Sequence, residues 1–126
     1  MTFWRGILWL HLIGMAFFVG GQLMLAAIVV PVLRGLDDRG SLRSAARRFG
    51  VGTLIALGVL TVTGIAMAGH YHLWSVSALR LHVALAAVVA VLIGAHLRWP
   101  EWHALDAAIF LVSLAIVWVG IVVAGQ

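Results

Sequence analysis

The sequence predicts an all-α integral membrane protein, a four-helix bundle with up-down-up-down topology and both termini outside. Its composition is the first observation: 64% of the 126 residues are hydrophobic and only 10% are charged. A soluble domain of this length cannot bury so much apolar surface. The second observation is that four apolar stretches, each long enough to cross a bilayer, are separated by short polar connections. We therefore expect a single transmembrane domain over residues 1–126.

The four stretches can be taken in chain order. The first contains His11 and Gln22 as its polar residues and has Pro31 near its end. Ser41 is expected to cap a short helix that runs directly into the second stretch. The third contains Arg80 near its start, and the fourth follows a turn with two tryptophans. Because backbone polar groups must be satisfied internally in lipid, helices are expected at these lengths. The expected spans are 6–33, 51–69, 78–97 and 105–124.

Arginines set the expected orientation. The chain has eight arginines and no lysine, and five of them lie in the basic connection at 34–48. Arg98 belongs to the same side, whereas Arg5 and Arg80 belong to the opposite side. The positive-inside rule then places both termini outside and the 34–48 loop in the cytoplasm. The arginines could also bind anionic lipid head groups, but a topology signal explains them more simply. Their distribution does not suggest nucleic-acid binding.

Two histidines are predicted to lie at the same depth in the outer half of the membrane. At a rise of about 1.5 Å per residue, His11 lies about 10 Å inward from Trp4 and His82 about 12 Å inward from Trp74. Ionisable side chains inside a bilayer usually face the bundle interior, where they mark a site. The alternative for His11 is an interhelical hydrogen bond without a ligand role.

Small and flat residues accompany both histidines. The first span carries a stripe at helical spacing that combines small residues, a ring and an amide, and the third span has small residues at four-residue steps. These stripes predict a slot for a planar group with a nitrogen donor on each side, although helix packing also explains them. Gly14, Phe18 and Gly21 are therefore candidate cofactor contacts. The first stripe is His11, Gly14, Met15, Phe18, Gly21 and Gln22, and the second is His82, Ala86, Ala90 and Gly94.

A b-type haem fits such a slot. Its iron takes axial imidazoles, its faces need apolar and small neighbours, and its propionates attract cations near the membrane edge. We expect His11 and His82 as the metal ligands. Arg80 and Arg5 are the expected partners of the propionates. His70 is the expected substitute ligand, because the sequence places it on an inward-facing stripe of the second span.

The segments that carry these residues resemble two related membrane families. WLHLIGMAFFVGGQLML, RRF before the second span and RLHVALAAVVAVLIGAHLRW in the third look like the copper-resistance D group and the four-helix bacterial protoporphyrinogen oxidase of the HemJ type, which binds haem b. The similarity covers about the first three spans and implies haem ligation by His11. The oxidase family has an important lysine two residues past the position of His82. Ala84 stands there in this chain. This departure from the family pattern argues against protoporphyrinogen oxidation, leaves haem binding open and makes His82 the replacement donor on that helix. The resemblance to the bacterial oxidase also makes the cytoplasmic (inner) membrane of a bacterium the expected location.

Three functions are compatible with these residues. The first is haem b binding for electron transfer or haem handling, with a quinone or a redox protein as partner. The chain could then be a membrane oxidoreductase. The second is copper transport or resistance, since His11 with Met15 and Met67 with His70 pair imidazole and thioether donors. The third is a cofactor-free subunit of a membrane complex or a homodimer, with the small residues of the third span at the contact. The absence of cysteine excludes disulfides and iron–sulfur ligation.

Overall fold

A computed structural model describes residues 2–125, and this part of the chain is almost entirely helical. Four stretches of helix are long and apolar enough to cross a membrane. The prediction of an all-helical chain with four candidate spans is therefore confirmed, as expected of a multi-pass membrane protein. The elements are α1 (Thr2–Met24), a π-helical turn (Leu25–Val29), α2 (Val30–Gly35), α3 (Arg39–His70), a 3₁₀ turn (Leu73–Ser75), α4 (Ser77–Arg98) and α5 (His103–Ala124).

The helices form two compact units, which divide between Met67 and Ala68. In the second unit α4 packs against α5. Val89 and Ser113 are its most deeply buried residues, each 1% exposed. The Ser113 hydroxyl donates to the carbonyl of Ile109 at 2.6 Å. A polar side chain in this apolar interface thus keeps a hydrogen-bond partner on its own helix.

In the first unit α1 and α3 pack antiparallel through two reciprocal phenylalanine–glycine contacts. The Phe49 ring of α3 lies directly over Gly21 of α1, and the Phe17 ring of α1 lies directly over Gly52 of α3. The two rings also contact each other, with centroids 5.6 Å apart. A Cβ atom at either glycine would overlap the facing ring. The close approach of the two helices therefore depends on glycine at both positions.

The first span continues through Pro31. A π-helical turn at Leu25–Val29 precedes the proline, and the N–H of Val30 donates to the carbonyl of Leu25. Proline has no N–H and cannot make the usual bond to the carbonyl four residues earlier, here that of Ala27. A widened turn next to the proline accommodates this missing bond, so the helix continues without ending.

The short helix predicted to run directly into the second span is confirmed, and it begins at Arg39. Residues 39–48 of the expected 34–48 loop form the first turns of α3. The cap is Asp38 and not Ser41, because the Asp38 carboxylate accepts the N–H of Ser41 at 2.9 Å. Asp and Ser are both strong N-cap residues, so the sequence alone does not choose between two candidates three residues apart.

Capping by Asp38 predicts a pH dependence at the start of α3. Hydrogen bonds from the Ser41 backbone and side chain hold the pKa of the Asp38 carboxyl below its ordinary value of 3.8. A carboxyl with a lowered folded-state pKa stabilises the fold above its ordinary pKa, and this contribution is lost as the pH falls through the lowered value. We expect the protection of the Ser41 amide from hydrogen exchange to decrease below pH 3.8. Asp38→Asn keeps a capping oxygen that does not titrate, so a decrease of equal size in this variant would contradict the assignment.

Candidate functional site

His11 lies on the face of α1 that packs against α3. Its Nδ1 is 2.8 Å from the Oγ1 of Thr63, and its Cε1 lies 3.4 Å from where a Cβ of Gly64 would stand. Thr63 is only 4% exposed, and its hydroxyl donates its single proton to the carbonyl of Val59 at 2.6 Å. The same hydroxyl lies 3.3 Å from the carbonyl of Leu60. When its proton is directed to these carbonyls, its oxygen accepts from His11, and this pairing is the tautomer with the proton on Nδ1 and the lone pair on Nε2.

His82 is held in the same way within the second unit. It lies on α4, half-buried against α5, and its Nδ1 is 3.1 Å from the carbonyl oxygen of Ile116. A carbonyl can only accept, so Nδ1 donates the proton and Nε2 keeps the lone pair. The Cε1 of the ring lies 3.3 Å from where a Cβ of Gly120 would stand. A larger residue at this glycine would press on the imidazole.

The same local arrangement thus occurs once in each unit. In both, a histidine of one helix places a ring edge on a glycine of the neighbouring helix and donates Nδ1–H to that helix. The hydrogen bond sets both the tautomer and the orientation of the ring. Metal-ligating histidines have this bond in almost all cases, because it directs the lone pair of Nε2 toward the metal and makes that nitrogen more basic.

The stripe predicted around His11 lies toward α3. Gly14 and Phe18 are buried, and the Gln22 amide donates to the carbonyl of Phe18 at 3.3 Å. A Cβ at Gly14 would lie 3.2 Å from a Leu60 side-chain carbon. Gly14, like Gly21 under its phenylalanine, therefore contacts α3 directly, which supports helix packing as a role for these glycines. Contact with a cofactor stays a prediction for them.

The second stripe is a surface of α4. Ala86, Ala90 and Gly94 are exposed, and a Cβ at Gly94 would meet no atom within 4 Å among the described residues. His82 and this small-residue stripe therefore differ in environment, since the histidine is turned toward α5 and the small residues are not covered by it.

The other predicted site residues are exposed. Arg5 and Arg80, the expected propionate partners, lie on the surface. His70 is also exposed, and its ring makes an edge contact with Tyr71 at a centroid distance of 4.7 Å. The buried face of α3 includes Thr63 but does not extend to His70 at the end of the helix. The prediction that His70 faces inward is therefore wrong.

Sequence reasoning missed a carboxylate–imidazole cluster in the second unit. The Asp106 carboxylate lies 3.2 Å from the Nδ1 of His96 and 3.7 Å from the Nδ1 of His103. The contact with His96 is not aligned as a hydrogen bond, so it is electrostatic and depends on protonation of the ring. The four-residue turn at 99–102 carried the missing signal. Residues at similar distances on either side of such a turn lie near each other in a helical hairpin. His96 is three residues before this turn and Asp106 is four residues after it.

The role of Thr63 can be tested without any cofactor. We expect Thr63→Val to remove the acceptor of the His11 N–H, so that both ring tautomers become populated and the stability of the hairpin falls by about 0.6 kcal/mol. The nitrogen-15 chemical shifts of the imidazole report the tautomer directly. Thr61→Val is the matched control, because the Thr61 hydroxyl donates to the carbonyl of Leu57 and does not bind His11. An unchanged His11 tautomer in Thr63→Val would show that another group holds the ring.

Among residues 2–125, no three histidine, aspartate or glutamate side chains are grouped so that they could hold a metal ion. No model of a known protein family, no curated protein and no solved structure matches this chain.

Proposed function

We propose that this chain is a b-type haem-binding membrane protein that transfers electrons or handles haem, with His11 and His82 as the axial ligands. The observation that carries the proposal is the matched hydrogen bonding of the two imidazoles. Each ring donates Nδ1–H within its own unit and keeps its lone pair on Nε2. A neutral imidazole in this form is the ligand that haem iron takes from histidine. The likeness of the first three spans to the two haem- and copper-related families agrees with this assignment.

The residues of the chain have distinct tasks in this proposal. Thr63 and the carbonyl of Ile116 orient the two rings and make their Nε2 atoms better electron-pair donors. The bound haem supplies one-electron chemistry. Two histidine ligands leave no open coordination position, which favours electron transfer over gas binding or oxygenation. The exposed Arg5 and Arg80 are available to neutralise carboxylates at the membrane edge.

The orientation in the membrane belongs to the same proposal. We place both termini outside and the arginine-rich segment 34–48 in the cytoplasm of a bacterium, with an up-down-up-down order of the four spans. The antiparallel packing within each unit supports alternation of the spans. The excess of arginine on one side supports the direction. A quinone or a redox protein would then be the electron partner.

An absorption spectrum of the purified, membrane-extracted chain tests the proposal. We expect a red protein with sharp reduced-minus-oxidised bands and iron in proportion to haem. Copper without iron would overturn it in favour of copper transport or resistance. A colourless and metal-free preparation from haem-replete cells would overturn it in favour of a structural subunit.

A further inference from the structure

A groove lies where α2 meets α3, at the end of the first two candidate spans. Its volume is about 620 Å³, which is within the range of roughly 300–1,000 Å³ that small-molecule sites occupy. Arg34, Arg39 and Arg43 line it together with the apolar side chains of Leu33 and Leu42. The groove thus combines cationic groups and apolar surface at one end of two membrane-length helices.

The three arginines of the groove lack protein counter-ions. Among residues 2–125, the ion pairs are those of Asp106 with its two histidines, and none involves an arginine. Asp37 and Asp38 also line the groove, so its lining carries three positive and two negative side chains, and one Asp38 oxygen accepts the N–H of Ser41. The segment 34–48 contains five arginines and two aspartates, so its net charge is positive. This surface is complementary to an anion.

We propose that this groove binds one anionic phospholipid, with its phosphate among Arg34, Arg39 and Arg43. Planar guanidinium groups bind phosphate oxygens with two parallel hydrogen bonds, so arginine suits this role better than a point charge does. The two helices that end at the groove have 34 and 32 residues. They are longer than a hydrocarbon core of about 30 Å, so they extend into the head-group region, where lipid phosphates lie. Leu33 and Leu42 provide apolar surface for the first carbons of the acyl chains. A glycerol head group would also offer hydroxyl donors to Asp37. The proposal goes beyond haem binding and does not depend on it.

The test uses the full chain in nanodiscs of phosphatidylcholine with increasing phosphatidylglycerol. Binding is measured by native mass spectrometry of retained lipid and by spin-labelled phosphatidylglycerol. We expect Arg39→Gln with Arg43→Gln to weaken binding by about fivefold for each arginine. Arg47→Gln with Arg48→Gln is the matched control, because it removes the same charge from the same helix at positions that do not line the groove.

Each outcome decides the proposal. A loss in the groove variant at least several-fold larger than in the control supports a defined lipid site, provided that helix content and membrane orientation are unchanged in both. Equal losses in the two variants would show that the arginines act as diffuse charge. Competition by millimolar inorganic phosphate would indicate a site for a free anion. Stronger retention of phosphatidylcholine than of phosphatidylglycerol would also overturn the proposal.

Discussion

Replacing His82 with alanine should remove haem from the purified protein, and His11→Ala should have the same effect. In the proposed site, each substitution would remove one of the two imidazoles that hold the haem. Loss of a group that merely orients a metal ligand costs about 10–100-fold in metal affinity, so loss of the ligand itself should cost at least as much. The measurement is haem per chain from the reduced-minus-oxidised spectrum, normalised to protein. Circular dichroism in the same detergent checks that the helices are retained.

Two further variants separate ligation from folding. His103→Ala removes an exposed imidazole whose Nδ1 lies 3.7 Å from the Asp106 carboxylate. This variant should keep the spectrum of the native chain. His82→Met keeps a long side chain and a weaker axial donor, so it should retain haem while raising the reduction potential. Full haem content in both His11→Ala and His82→Ala would contradict the assignment and would make His70 the next candidate haem ligand.

Gly21→Leu should strongly destabilise the first unit. The Phe49 ring already occupies the place of a Cβ at this position, so the new side chain must displace the ring and separate α1 from α3. Overpacking of this kind typically costs about 1–3 kcal/mol, and we expect the upper end because the reciprocal contact at Gly52 is disturbed as well. The free energy of unfolding in mixed detergent micelles measures the effect.

The chain contains its own controls for this prediction. A Cβ at Gly58 would meet no atom within 4 Å among the described residues, so Gly58→Leu should leave the stability nearly unchanged. Adding Phe49→Ala to Gly21→Leu should restore part of the lost stability, because it vacates the space that the leucine needs. Equal destabilisation by the two leucines, or no rescue, would argue against the phenylalanine–glycine contact.

The register of each hairpin could have been predicted from the position of its short connection, although the amphipathic patterns alone do not give it. His11 and Thr63 lie equally far along the chain from Asp37, at the centre of the connection between α2 and α3. In the same way, the turn at 99–102 brings His82 close to Gly120. Short connections constrain antiparallel helices in this manner because the chain has little length with which to shift one helix along the other.

Local details were less accessible. Asp38 and Ser41 are equally good capping residues, and which of them caps α3 depends on where the preceding turn ends. The π-helical turn before Pro31 is one of several ways in which a helix accommodates proline. Neither of these choices is encoded in composition or in hydrophobic spacing alone.

The sequence by itself determined that the chain is helical and has four candidate spans, since 64% hydrophobic content in long runs can be satisfied only by membrane-length helices. It also singled out His11 and His82 as the ionisable groups of interest within the spans. Only the tertiary structure decided which nitrogen of each ring carries the proton. That property depends on the acceptor across the helix pair, the Thr63 hydroxyl in one unit and the Ile116 carbonyl in the other. An acceptor more than 30 residues away along the chain becomes a neighbour only when the helices pack.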